Sequence, residues 1–377
     1  MTHSEPTVRH AVLAISSLYE GFDPVRADEP RTDRFAVSHY NKAISLLAND
    51  SEPNMNNVLV VCVLFVCIEL LRGNREAAIS HASHGVHLLN TLGHNLRLAT
   101  IFSQIGIFPP FFVKEGVDFP LLLRNTGTDE SNPVFFSTSE AQLALDDLCI
   151  RTLRLIRAGN PYRLDEVQGA PPQDLYDWQS RAMADLEAWD KAFANFQATR
   201  LAPNKHDTTS LALKIRERLT KIWLANCFTR GEIGYDESKD DFAELVGWAR
   251  AAADKLDAIK MTPAKFTFDT GFNPLMHFIV HRCRILRIRL EALDLMQRLS
   301  SQRESMWDAS LMYDMSRRIV EVEHDIDLDG DYDLNDETVP PDLKRPNEEC
   351  LLRLSASCDY EPQPQSLTAK FSLGEGA

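Results

Sequence analysis

The chain has 377 residues, 44% of them hydrophobic, and a formal net charge of −15 at pH 7. This length and apolar content are enough for one large or two ordinary folded domains. Because affinity for nucleic acid comes mainly from Lys and Arg facing phosphates, the negative charge argues against DNA binding through the overall field of the protein.

Cysteine usage and the N-terminal residues indicate an intracellular protein. Seven cysteines are scattered along the chain, and an odd, widely spaced set is typical of reduced, buried thiols. The first six residues, Met-Thr-His-Ser-Glu-Pro, have neither the apolar core nor the cleavage site of a signal peptide. Secretion is therefore not expected.

Three segments near the N-terminus have the composition of helices. Segments 35–47 and 74–89 carry small and aromatic residues at helical spacing, and we expect a pair of packed helices without the third repeat of a solenoid. Segment 58–71 is apolar except for Glu69, but it is about four residues short of the roughly 18 that span a bilayer. We interpret it as a buried central helix.

Helical stripes return after residue 138. Segment 141–158 has apolar residues at three- and four-residue steps, with Ser139 predicted to start the helix and Gly159 to end it. Further stripes follow within 178–196, 211–222 and 242–259. Their members are Trp178, Ala182, Leu186, Trp189, Phe193 and Phe196, then Leu211, Ile215, Leu219 and Ile222, then Phe242, Leu245, Val246, Ala249, Ala253, Leu256 and Ile259.

The sequence therefore predicts an all-α, multi-helix fold. We divide it into an N-terminal helical group (1–102), an irregular connection rich in Pro and Phe (103–138) and a C-terminal helical group (139–324). A shorter connection is predicted at 159–174. Residues 325–377 form an acidic tail that contains prolines and lacks helical stripes, and this tail is expected to be disordered.

Common catalytic and nucleotide-binding signatures are absent, so no catalytic or cofactor-binding residue is predicted. His81, His84 and His87 are three residues apart, and His277 and His281 are four apart. Imidazoles at these spacings can bind zinc, but neither set has companion ligands nearby. We favour surface or hydrogen-bonded structural histidines.

The densest basic run is 281–289, with four arginines. As one helix it would direct Arg282 and Arg289 to one face and Arg284 and Arg287 to another, with Glu291 able to pair with Arg287. Because the charge is divided and partly neutralised, structural ion pairing is favoured over contact with nucleic acid.

An acidic segment, 325–336, matches part of an EF-hand calcium loop. Its candidate ligands are Asp325, Asp327, Asp329, Asp331, Asp333 and Asp336. The twelfth position is Asp rather than the usual Glu, and the Val-Pro-Pro that follows prevents an immediate exit helix. A solvated acidic tail is the default alternative. An amphipathic activation segment that folds on a partner is another.

Several blocks resemble a known family. They are His10–Tyr19, His39–Ile44, Leu71–Asn74 followed by His81 and Gly85, Pro274–Arg284, Arg287–Ala292 and Met306–Trp307. In this order and spacing they resemble the fungal-specific regulatory domain that follows the Zn(II)2Cys6 cluster of ascomycete transcription factors, from about residue 8 to about residue 324. The resemblance implies an all-α fold, a nuclear location and regulation of metabolic or secondary-metabolite genes.

The resemblance does not extend to the zinc cluster. That element needs six cysteines beginning Cys-x-x-Cys, whereas the closest pair here, Cys62 and Cys67, lies five apart in an apolar segment. The family's domain usually begins further upstream, so Met1 is expected to lie within its first helices. A truncated gene model, a natural form without a DNA-binding end and a scaffold used for another task all stay open.

We therefore expect a transcription regulator without cofactor or metal. Its partners would be proteins of the transcription machinery or a DNA-binding regulator, with no direct contact to nucleic acid or membrane. The nucleus is the expected location by resemblance, and the cytoplasm otherwise. The alternative is a small-molecule-binding module or cofactor-independent enzyme that uses a pocket among the helices.

Overall fold

The structure, a computed structural model, describes residues 5–22, 33–92, 96–107, 119–123, 133–164, 166–199, 208–260, 264–268, 271–328, 352–354 and 371–373. Within these ranges the chain forms twelve α-helices, one 3₁₀ helix and strands of only two or three residues. The predicted all-α fold is therefore confirmed. The described residues belong to two compact units.

The first unit contains α1 (Pro6–Glu20), α2 (Arg34–Ala48), α3 (Met55–Leu71), α4 (Arg75–Leu92), α5 (Leu96–Gly106) and the short strand β1 (Phe266–Thr267). The second unit contains α6 (Thr138–Arg163), α7 (Gln173–Thr199), α8 (Thr208–Ala225), the 3₁₀ helix Ile233–Ser238, α9 (Lys239–Ala258), α10 (Asn273–Arg282), α11 (Leu286–Leu299), strands β2 (Arg303–Glu304) and β3 (Trp307–Asp308), α12 (Ala309–His324), β4 (Leu352–Leu354) and β5 (Phe371–Leu373).

Helix α3 is central to the first unit because it packs against α1, α4 and α5. Every residue from Phe65 to Leu71 is buried. A helix that is apolar on all sides belongs in a protein interior, so the predicted buried helix is confirmed. No helix in the described part of the chain is both long and apolar enough to cross a membrane.

The two early helical segments form α2 and α4, but they are not each other's main packing partners. Helix α2 packs chiefly against α1, and α4 packs against α3. Ala36, Tyr40 and Ala43 of α2 are buried in a core that also contains Ala11 and Ala14 of α1. An apolar stripe shows which face is buried, but it does not identify the helix that covers it.

The turn between α3 and α4 explains one of the sequence blocks. Gly73 adopts a φ of 77°, a left-handed conformation that commonly ends helices. Its N–H donates to the Leu70 carbonyl at 3.1 Å, and the Asn74 N–H donates to the Glu69 carbonyl at 2.8 Å. Asn74 Oδ1 then accepts from the Ala77 N–H at 3.2 Å, which caps α4. The turn therefore stops one helix and starts the next.

A short segment from the second half of the sequence belongs to the first unit. Lys265 Nζ donates to the carbonyls of Glu20 and Phe22 at 3.4 Å each, and Phe266 packs against the core of this unit. No pattern in the sequence predicts this placement. The division of the chain at 103–138 stays a prediction.

Helices α6, α7 and α8 surround one core of the second unit. Leu186, Trp189 and Phe193 of α7 are buried there, and the Trp189 ring stacks on Phe193 with centroids 4.7 Å apart. The indole N–H donates to the Ala141 carbonyl at 2.8 Å, so burial leaves no unpaired donor on Trp189. The interpretation of this aromatic stripe as core is confirmed.

Both predicted ends of α6 are wrong. The N-cap is Ser137 rather than Ser139, since its hydroxyl accepts from the Glu140 N–H at 3.2 Å. The helix also continues beyond Gly159 to Arg163. A Cβ on Gly159 would lie 2.7 Å from the Phe228 ring, so glycine is needed there for close packing and not to end the helix.

Helix α8 separates two cores. Its predicted stripe, Leu211, Ile215, Leu219 and Ile222, faces a core built with α9 to α12, which confirms the stripe. Leu213 and Leu224 face the core shared with α6 and α7. The predicted stripe on α9 is buried as far as Ala253, Leu256 is partly buried, and Ile259, which follows the helix, is 61% exposed.

The predicted irregular connection and tail are described only in part. Residues 103–106 are still helical and complete α5, so the connection begins later than predicted. Residues 108–118 and 124–132 lie outside the described ranges. Between them, the Asn90 side chain donates to the Leu121 carbonyl at 2.8 Å and accepts from the Leu123 N–H at 2.8 Å.

Most of the acidic tail lies outside the described residues, so its predicted disorder stays a prediction. Ile326 and Leu328, at its start, pack against the core of the second unit. Further on, β4 and β5 pair antiparallel, with Leu352 opposite Leu373.

Candidate functional site

Four polar side chains meet between α2, α3 and α4 in the first unit. Tyr40 Oη lies 3.1 Å from His81 Nε2, and the guanidinium of Arg72 donates to the Glu69 carboxylate at 2.9 Å. The Glu69 carboxylate lies close enough to Tyr40 to act on its ionisation. The Phe65 ring covers the group, with its centroid 4.9 Å from that of Tyr40 and 5.3 Å from that of His81. We name these four polar residues the Tyr40 cluster.

The ionisation of the Tyr40 cluster suits a structural connection. Burial, and secondarily the Glu69 carboxylate, raise the pKa of Tyr40. Burial lowers the pKa of His81, although Glu69 acts in the opposite direction. At pH 7 both rings are therefore neutral. The contact between the neutral Tyr40 and His81 rings links α2 to α4, and the raised pKa of Tyr40 makes it a poor base or nucleophile.

The three histidines of α4 do not converge on one site. His81 lies in the Tyr40 cluster, whereas His84 and His87 are exposed. A zinc site needs three or four converging ligands. Among the described residues, no group of three or more His, Cys, Asp or Glu side chains is arranged to hold a metal ion.

The basic run is not one helix, contrary to the prediction. Helix α10 ends at Arg282, and α11 begins at Leu286. Cys283 and Ile285, which flank the break, have extended backbone conformations. The buried Arg289 guanidinium donates to the Cys283 carbonyl. This bond satisfies an acceptor that the break would otherwise leave without an intrahelical partner.

Two arginines at the break hold the 3₁₀ helix and the residue before it. Arg282 binds one oxygen of Glu232, while Arg163 of α6 binds the other at 3.1 Å. Arg284 binds Asp236, with Nε 2.8 Å from Oδ1. Burial acts to raise the pKa of Glu232, but the two guanidinium groups together lower it below its ordinary value. These ion pairs connect α6 and α10 through one short segment.

The remaining charges of the run are divided between the interior and the surface. Arg289 pairs with Glu323 inside the second unit, whereas Arg287 is exposed. The prediction that Glu291 pairs with Arg287 is wrong, because Glu291 pairs with Arg250 of α9. A contact between neighbouring helices has replaced the local contact expected from four-residue spacing. Arginines 282, 284 and 289 thus serve ion pairing within the unit, as favoured from the sequence.

His277 connects α10 to α12. Its Nδ1 lies 2.7 Å from the Ser316 hydroxyl, and its ring stacks with that of His281 at a centroid distance of 6.1 Å. Burial, and secondarily the charge of Arg282, lower the pKa of His277 to about 4. The ring is therefore neutral at pH 7, in agreement with a structural, hydrogen-bonded histidine.

The candidate calcium loop, residues 325–336, is described only at its start. Asp325 follows α12 with a φ of 51°, which makes it the left-handed C-cap of that helix. Asp327 is also described, whereas Asp329, Asp331, Asp333 and Asp336 lie outside the described residues. Calcium binding therefore stays a prediction.

Sequence reasoning missed a histidine contact between α1 and α2. The Nδ1 atoms of His10 and His39 lie 2.7 Å apart, and Ser17 donates to Asp33 further along the same pair of helices. The available signal was the resemblance itself, because His10 and His39 are the first residues of two of its blocks. Tyr40, Arg72 and His81 of the Tyr40 cluster also lie in or beside these blocks.

Comparison with known proteins supports the resemblance over part of the chain. The chain is 25% identical over 223 residues to the aspercryptin biosynthesis cluster-specific transcription regulator atnN of Emericella nidulans. The match covers 52% of this chain and 35% of that regulator, so the chain spans about a third of the length of its relative. No protein-family model matches the chain, and no solved structure matches it. The similarity indicates a region like that of a fungal transcription regulator.

Proposed function

We propose that this chain regulates transcription in the nucleus through contacts with other proteins, and that its targets are metabolic or secondary-metabolite genes. The observation that carries the proposal is the 25% identity over 223 residues to a cluster-specific transcription regulator. The order of the sequence blocks, which are distributed over both compact units, supports the same role.

The use of the arginines supports protein contacts rather than DNA contacts. Binding to DNA depends on Lys and Arg side chains that can approach the phosphates. In the densest basic run, Arg282, Arg284 and Arg289 instead face carboxylates within their own unit. The net charge of −15 adds a repulsive field. A role in transcription would then depend on a partner that binds DNA.

A recruitment experiment tests this proposal. The chain is fused to a heterologous DNA-binding domain with its operator upstream of a reporter gene. We expect reporter expression to change several-fold relative to the DNA-binding domain alone. The matched control is the Asp254→Asn fusion, which alters an exposed ion pair and should act like the parent. A folded, nuclear, operator-bound fusion that leaves the reporter unchanged would contradict the proposal.

A further inference from the structure

Helices α1 and α2 contain three Lys or Arg side chains and one carboxylate in a chain that is acidic as a whole. The chain has 55 Asp and Glu against 40 Lys and Arg. Within these two helices the ionisable side chains are Arg9, His10, Tyr19, Glu20, Arg34, His39, Tyr40 and Lys42. The single carboxylate, Glu20, is in the last turn of α1. Arg9 and Lys42 are both exposed and both act on His10, so positive charge is concentrated beside this histidine.

Counted with their capping residues Glu5 and Asp33, the two helices carry three carboxylates and three Lys or Arg side chains. Asp33 precedes α2, and its oxygens accept from the Ser17 hydroxyl and from the Phe35 and Ala36 N–H groups. Glu5 precedes α1 at its first turn. Both lie at helix N-termini, where negative charge is locally favourable.

One face of α2 combines the charge of Lys42 with exposed apolar side chains. Phe35, His39, Lys42 and Leu46 recur at steps of four, three and four, so they share a face of the helix. Phe35 is 52% exposed and Leu46 is 40% exposed. The buried face of the same helix is a different one, formed by Ala36, Tyr40 and Ala43.

The adjacent side of α1 completes a shallow groove. His39 contacts the Phe35 ring, with centroids 4.4 Å apart, and the His10 ring, with centroids 4.9 Å apart. Leu13 lies one turn beyond His10 and is half-buried. Burial lowers the pKa of His10, and His39, Arg9 and Lys42 lie close enough to act in the same direction. The α1–α2 groove is formed by His10, Leu13, Phe35, His39 and Leu46, with Arg9 and Lys42 at its rim.

We propose that the α1–α2 groove docks an acidic amphipathic helix of a partner protein. Phe35 and Leu46 are eleven residues apart, which is about 16 Å along α2 and matches three turns of a docked helix. In this mode of recognition, apolar side chains at three- and four-residue spacing enter an apolar groove. Acidic residues beside them would face Arg9 and Lys42, and this charge complementarity selects an acidic partner.

The inference rests on the proposed function for its setting, a regulator that works through protein contacts. Its test uses only the purified full chain, so it is independent of any reporter gene. If the peptide binds the groove while the recruited chain leaves a reporter unchanged, the proposed function fails and the groove stands. If the reporter responds and the peptide does not bind, the groove assignment fails alone.

The probe is a fluorescein-labelled synthetic peptide of about 16 residues, with Leu at every third or fourth position and Glu elsewhere. Fluorescence anisotropy should show binding in the micromolar range at low salt, with weaker binding as salt screens the charges. The same peptide with Lys in place of Glu should bind at least about tenfold more weakly. A scrambled acidic peptide, which lacks the apolar stripe, should also bind weakly.

Matched variants locate the binding surface. Leu46→Ala should weaken binding several-fold, whereas Ile44→Ala should not, although both side chains are 40% exposed on the same helix. Ile44 differs because it lies two residues away, on another face of α2. Lys42→Glu should weaken binding more strongly, while Arg287→Glu, at an exposed position of the second unit, should have no effect. All variants should keep the parent helical circular dichroism.

Three results would overturn the inference. The first is absence of binding by the acidic peptide. The second is equal affinity for the Glu and Lys peptides, and the third is an equal effect of the Ile44→Ala and Leu46→Ala substitutions.

Discussion

Arg289 and Glu323 form an ion pair in the interior of the second unit, with Nη2 of the guanidinium 2.6 Å from Oε2 of the carboxylate. Arg289 is fully buried, and Glu323 is 4% exposed. The pair joins α11 to α12, and Arg289 also donates to the Cys283 carbonyl at the break before α11. Removing two such charges from water is costly, so each depends on the other for compensation.

Glu323→Gln should strongly destabilise the fold, because it leaves the Arg289 charge buried without its counter-ion. The expected loss in the free energy of unfolding is about 3–5 kcal/mol, measured by urea denaturation. Asp254→Asn is the control, since Asp254 is 64% exposed in its pair with Arg298. Exposed pairs contribute about 0–1 kcal/mol. Similar small losses in both variants would contradict the importance of the buried pair.

Two glycines of the second unit should respond to alanine in opposite directions. In Gly159→Ala, the new methyl group would lie 2.7 Å from the Phe228 ring and 3.0 Å from the Cys227 carbonyl oxygen. Such overpacking costs about 1–3 kcal/mol. Gly247 lies within α9 with no atom within 4 Å of its added Cβ. Gly247→Ala should therefore stabilise by about 0.5–1 kcal/mol.

The same urea titrations measure both glycine variants. A Gly159→Ala protein as stable as the parent would show that α6 does not approach Phe228 as closely as described. Destabilisation by Gly247→Ala would instead show that another residue packs against α9 at this position.

His277 should make the fold less stable as the pH falls. Its pKa is lowered from 6.5 to about 4, so the unfolded chain binds a proton more readily than the folded chain between these values. The stabilising contribution is therefore complete above pH 6.5 and is lost as the pH falls toward 4. His277→Asn removes this titration, so the variant should lose less stability than the parent between pH 7 and pH 5.

Thermal melting across that pH range provides the measurement for His277. His84→Asn is the control, because His84 is exposed on α4 and its replacement should leave the parent pH profile unchanged. Parallel profiles for the parent and the His277→Asn protein would contradict burial of a neutral His277.

The purified chain should bind duplex DNA only weakly. Its net charge is −15, and three arginines of the basic run are paired internally, so we expect a dissociation constant above about 10⁻⁴ M at physiological salt. Arg287→Glu should leave this value unchanged. Micromolar binding that this substitution weakens would show that the basic run contacts DNA.

Much of the fold is predictable because apolar periodicity reports burial directly. The stripe with Leu186, Trp189 and Phe193 identified both the helix and its buried face. Helix ends were less predictable, since Gly159 is compatible with a C-cap and with a close packing contact. Only the position of Phe228 distinguishes these roles, and that position is set by tertiary structure.

Polar contacts between helices were the least predictable part. Glu291 was expected to meet Arg287 one turn away, but Arg250 of another helix is its partner. Likewise, nothing in the local spacing of His10 and His39 indicates that their rings meet. Local rules describe neighbours on one helix, whereas these pairs depend on how two helices are placed side by side.

The central proposal is that the chain regulates transcription. RNA sequencing after deletion of its gene in the organism that encodes it, with reintroduction of the intact gene, tests this most directly. We predict that a coherent set of metabolic or secondary-metabolite genes changes expression several-fold and recovers on reintroduction. An unaltered set of transcripts, under conditions in which the parent strain contains the protein, would contradict the proposal.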